Sequence, residues 1–167
     1  FGYTLSLTES GYQVRWAPNQ RFNLAGNPRG NHSLSSQFVW NSIVSALMQW
    51  DRGSQGQLRW DYWQGTDPST YKTTLTSDGL SKVFFISQSG ISPDPNVIGY
   101  TQTTYNNIDG TLYQSETYFN DINYNFTDVQ SDTSSKSAYE SRPRVYFPNV
   151  VTHELGHAVG LSHSGSI

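Results

Sequence analysis

The run His153-Glu154-Leu155-Gly156-His157-Ala158-Val159-Gly160-Leu161-Ser162-His163 decides how the rest of this 167-residue chain is read. His153 and His157 are four residues apart, so on an α-helix both imidazoles project from one face and can grip one metal ion. Glu154 lies about 100° round the helix from His153, near enough to reach a water beside the metal without ligating the ion itself. Gly160 can take a backbone conformation closed to residues with a Cβ, which ends the helix and reverses the chain. That reversal returns His163 as a third ligand. Three nitrogen ligands with one open position is the arrangement of a catalytic zinc, whereas a structural zinc is closed by four protein ligands.

Two His and one Glu at these offsets arise by accident in a chain this long about once in fifty cases. Requiring Gly160 and His163 as well lowers that to about one in twenty thousand. Only four histidines occur in the chain and three fall in this window, which weighs against a helix with merely solvated imidazoles. Glu154 and the open position weigh against a purely structural zinc. The fourth histidine, His32, stands alone in a polar stretch and reads as solvated.

Outward from the motif, Pro148 blocks extension towards the N-terminus, so a helix is expected from about Asn149, with Val150, Val151, Leu155, Ala158 and Val159 as its apolar positions. A longer helix over 36–52, capped by Ser35 or Ser36, carries Trp40, Ile43, Val44, Leu47 and Met48 at helical spacing, and Gly53 sits where it turns off. Leu58, Trp60 and Tyr62 alternate with Arg59, Asp61 and Trp63 as a half-buried strand. Val83 to Ile86 is a continuous apolar run suited to a central strand. Val97 to Tyr105 and Thr111 to Phe119 flank Asn106 to Gly110, whose Asp-Gly pair favours a hairpin turn. Residues 3–16 alternate loosely and supply one or two strands. Pro18 to Asn31 and 67–78 read as loop, and 128–141 as a polar, low-complexity surface segment. These elements predict one α+β domain over 1–167: a twisted, mixed five-stranded sheet, a backing helix, and a second helix bearing the histidines.

Composition narrows the function classes. Net charge is −3 with no basic cluster, which leaves no nucleic-acid or anionic-membrane footprint. No run approaches 18 apolar residues, so no helix spans a membrane. The 14% of aromatic residues excludes wholesale disorder. Cysteine is absent, which removes disulfides, thiolate metal ligands and a cysteine nucleophile. A start at Phe1 without a leader, few lysines and many hydroxyl residues lead us to expect an exported bacterial product whose signal or pro-segment has been removed.

The eleven-residue run resembles, in full, the zinc signature of the metzincin metallopeptidases. Ser164 directly after the third His is similar to the matrixin branch, the matrix metalloproteinases and their bacterial relatives. Thr117-Tyr118-Phe119-Asn120-Asp121 resembles the strand that follows the matrixin edge strand, and the helix at 36–52 resembles their first helix. The resemblance implies a secreted zinc-dependent endopeptidase, with one catalytic Zn²⁺ on His153, His157 and His163. It further implies that Glu154 acts on the zinc-bound water as general base and hands the proton to the leaving amine. A protein or peptide substrate would lie extended along an edge strand at Ile98 to Thr104, pairing through backbone groups so that side chains there say little. A pro-segment conferring latency, an inhibitor or a companion C-terminal fragment are the other implied partners.

The chain also departs from that family. No methionine follows His163, and Met48 belongs to the first helix, so the methionine turn and the rest of the C-terminal subdomain are expected to be truncated from this chain. Tyr100 and Tyr118 stand where matrixins place histidines of a second, structural zinc. Asp94, Asp109, Asp121, Asp128 and Asp132 offer oxygens for a structural Ca²⁺, as in many relatives, and equally read as turn formers. An astacin-like or serralysin-like protease, marked by a downstream Tyr ligand, is one alternative. A catalytically silent, zinc-stabilised binding or adhesion module is the other.

Overall fold

The computed structural model describes residues 3–26, 31, 33–64, 79–86, 94–130 and 142–163. In chain order the elements are β1 (Tyr3–Leu5), β2 (Arg21–Gly26), α1 (Ser36–Gly53), β3 (Arg59–Gln64), β4 (Ser81–Ile86), β5 (Gly99–Tyr105), β6 (Leu112–Asn120), β7 (Asn125–Thr127), β8 (Arg144–Tyr146), α2 (Phe147–Ala158) and β9 (Leu161–His163). Five strands form one mixed sheet in the order β3-β2-β4-β6-β5. Its neighbours run parallel except the β5–β6 hairpin, which leaves β5 as an edge. The α+β class, the mixed five-stranded sheet and both helices agree with the sequence reading.

A strand flanked by parallel neighbours buries both faces, and all six residues of β4 are buried. Phe22, Leu24, Val83, Phe85 and Phe119 of the sheet meet Val39, Ile43, Ala46 and Leu47 of α1 and Val151, Leu155 and Ala158 of α2 in one core. The rings of Phe85, Phe119, Phe126 and Phe147 lie 5.0–5.9 Å apart in every pairing. Each such ring contributes about 1.5–3 kcal/mol by leaving water. Because Phe147 opens α2, this cluster pins the start of the histidine-bearing helix against the sheet.

Several expectations are corrected. Pro18 to Asn31 is not wholly loop, since Arg21–Gly26 forms β2 between β3 and β4. Its alternation is visible afterwards: Phe22 and Leu24 face the core while Arg21 and Asn23 are exposed. The turn residues before it (Pro18, Asn19) and the glycine at its end (Gly26) mask a strand that parallel neighbours stabilise. Residues 12–16 form only isolated bridges, Leu7 with Gln13 and Arg15 with Thr111. On α1, Ser35 caps the helix by accepting from the Phe38 N–H at 3.2 Å. The buried stripe is Val39, Ile43, Ala46 and Leu47, a slight rotation from the expected one that leaves Met48 exposed. Gly53 ends the helix and Ser54 caps it. α2 begins at Phe147, with Pro148 inside its first turn instead of before it, because a proline there gives up an N–H that has no helical partner anyway. The stretches 67–78 and 131–141, with His32, Asp132 and Ser164, lie outside the described residues.

Candidate metal centre

Two indoles hold α2 by its carbonyls. Trp50 Nε1 donates to Thr152 O at 2.9 Å, and Trp16 Nε1 donates to Ala158 O at 3.0 Å. The second satisfies a last-turn carbonyl that has no partner within the helix. Gly160 then turns the chain with φ +99°, and a Cβ at that position would strike the Val14 carbonyl. Past it, β9 runs antiparallel to β1, with His163 opposite Tyr3. The Thr4 hydroxyl donates to the His163 carbonyl at 3.0 Å, and the Ser6 N–H donates to the Gly160 carbonyl at 3.0 Å.

This local folding brings three Nε2 atoms together: His153 to His163 2.9 Å, His157 to His163 3.0 Å, His153 to His157 3.2 Å. Ligands about 2.05 Å from one tetrahedral Zn²⁺ stand about 3.3 Å from each other, so the triangle needs to open by only a few tenths of an ångström. The outer ring nitrogens fit the same purpose. His157 Nδ1 lies 2.8 Å from the Leu161 carbonyl, which can only accept, so the neutral ring carries its proton on Nδ1 and presents a lone pair at Nε2. His153 Nδ1 lies 3.1 Å from the Tyr3 hydroxyl. Burial first, and then the charges of His157 and His163, pushes His153 below the ordinary imidazole value. With all three rings in the Nδ1–H form, three lone pairs would face one point and repel unless a cation lay between them. The triad can hold one metal ion.

Glu154 stands beside the triad, only 5% exposed. Its Oε2 accepts from the Thr101 hydroxyl at 2.8 Å. Thr101 Oγ1 lies 2.9 Å from Thr117 Oγ1 and 3.0 Å from the Glu154 carbonyl. Each hydroxyl has one proton, so donation from Thr117 to Thr101 leaves the Thr101 proton for Glu154. Burial pushes the Glu154 carboxyl up to about 7, against the opposing pull of the Thr101 hydrogen bond and of His163. Gly99 gives the side chain room, since a Cβ there would lie 2.9 Å from Glu154 Cγ. A cleft of about 250 Å³ opens here, walled by Glu154, His157 and His163 on one side and by Gly99, Tyr100 and Thr101 of β5 on the other.

His153, His157, His163 and Glu154 are therefore gathered as their spacing predicts. Among the described residues, the candidate calcium ligands Asp94, Asp109, Asp121 and Asp128 are not gathered. Asp94 accepts from the Asn96 N–H and Asp109 from the Thr111 N–H, both as turn formers, while Asp121 accepts from the Asn31 amide. Among the described residues, the histidine triad forms the cluster of three or more metal-ligating groups. Tyr100 and Tyr118 pair across β5 and β6 with ring centres 5.4 Å apart. Sequence reasoning missed Tyr3 and Thr101. It assigned the β5 side chains little importance, and the Thr101 hydroxyl corrects that. Period-two alternation along β5 could have put Thr101 on the face towards Glu154, but nothing local marks Tyr3, whose partner is 150 positions away. Comparison with known proteins finds no family model and no curated sequence that matches this chain.

Proposed function

We propose that this chain is the catalytic domain of a zinc-dependent endopeptidase of the metzincin type, most like the matrixin branch, acting on protein or peptide outside the cell. The observation that carries the reading is the convergence of three Nε2 atoms within 2.9–3.2 Å beside a buried carboxyl in an open cleft. An all-imidazole donor set suits Zn²⁺, whereas Ca²⁺ and Mg²⁺ prefer oxygens. His153, His157 and His163 would hold the ion. Bound there, Zn²⁺ supplies Lewis acidity that polarises a peptide carbonyl and acidifies water. Glu154 would act as the general base towards water in the cleft and return the proton to the leaving amine. Thr101 holds Oε2 of the carboxyl, leaving Oε1 to exchange the proton. β5 offers an edge along which an extended peptide can add as a strand.

Metal analysis should find one zinc per chain, and casein cleavage should stop when a chelator removes it. Glu154→Gln should keep the zinc and lose about 10²–10⁴-fold in cleavage rate. A Glu154→Gln protein that cleaves casein near the wild-type rate would remove Glu154 from its role. Stoichiometric zinc without any cleavage by the wild type would favour a silent zinc-stabilised module.

A further inference from the structure

We infer that β1 is part of the metal centre: Tyr3 orients the His153 ring through its Nδ1, and the strand it opens holds His163 in ligating position. The inference rests on the zinc reading above and adds to it residues that the histidine motif does not contain.

An imidazole that offers Nε2 to a metal must carry its proton on Nδ1, and ligating histidines nearly always donate that proton to an oxygen. For His157 the oxygen is the Leu161 carbonyl; for His153 the Tyr3 oxygen stands at 3.1 Å. The phenol ring is itself located. It meets Trp50 edge-on, with centres 5.2 Å apart at 90°. Gly156 makes the space, since a Cβ there would lie 2.8 Å from Trp50 Cζ2 and 3.1 Å from Tyr3 Cε1. The hydroxyl meets Nδ1, on the side of the ring away from the Nε2 triangle, so Tyr3 orients a ligand without being one. The backbone of the same strand secures the third ligand. β9 is three residues long, and among the described residues its sheet contains β1 alone as partner. The Thr4 hydroxyl and the Ser6 N–H clamp the carbonyls at its His163 end and just before its start. Tyr3 is thus a positioning residue for His153, and β1 a splint for His163.

The test uses the whole chain, stripped of metal by a chelator and titrated with zinc against a chromogenic competitor. The hydrogen bond at His153 Nδ1 is read by ¹⁵N NMR with zinc bound. Tyr3→Phe keeps the ring against Trp50 and removes the oxygen. It should weaken zinc binding about 10–100-fold and shift the His153 Nδ1 resonance, at an unchanged far-ultraviolet dichroism spectrum. Thr4→Val, which removes the tie to the His163 carbonyl, should weaken zinc binding with the His153 Nδ1 resonance unmoved. An unmoved His153 Nδ1 resonance in Tyr3→Phe, or zinc affinity within twofold of wild type in both variants, overturns the inference while leaving the protease reading standing. If the wild-type chain takes up no zinc, the protease reading falls and this inference falls with it.

Discussion

Glu154 combines deep burial with a carboxyl pushed from 4.5 up to about 7, and that combination has a thermodynamic consequence. The folded, metal-free chain binds this proton more tightly than the unfolded chain does. Stability from Glu154 is therefore fully present below about pH 4.5 and is lost as pH rises towards 7, by about 3 kcal/mol at most. Glu154→Gln cannot ionise and escapes the loss. Urea unfolding in chelator should show the variant gaining on wild type across this window, and a flat difference would mean that the carboxyl is not desolvated. The histidine trio was legible because its spacing is local, and the helix period alone brings His153 and His157 together. Tyr3 and Thr101 were not legible, because their roles depend on register between segments far apart in sequence.

At the scale of elements, α1 could be read from its period and its serine cap, both of which are properties of the segment itself. β2 could not, because what makes Arg21–Gly26 a strand is the pair of parallel neighbours beside it, while its flanks carry the residues of turns. The junction of α2 and β9 lies between these cases, since Gly160 announces a stop but not the direction in which the chain leaves. That direction depends on φ +99° at Gly160 and on the Val14 carbonyl packed against it. Gly160→Ala should therefore cost more than about 2 kcal/mol in a urea melt and weaken zinc binding by displacing His163. Gly53→Ala is the control, because a Cβ there meets nothing within 4 Å and Ala favours a helix by about 1 kcal/mol. Equal, small effects at both positions would refute the strained-turn account.

Across the whole molecule, stability is graded. β4 lies between two parallel partners with every residue buried, whereas β1 and β9 share a three-residue ladder in which Leu5 and His163 are exposed. Hydrogen exchange in chelator should be fastest along β1 and β9 and slowest along β4, and zinc should slow the first pair far more than the last. Uniform slowing would mean that the ion stabilises the fold globally and not this seam. Closing β1 onto β9 joins segments about 160 positions apart, so entropy delays it until the sheet already exists. The same seam is the first to reopen. If the triad holds an ion, the parting of these two short strands would free its third ligand, and residence time would then follow that small breathing motion instead of the slow unfolding of the body that carries it.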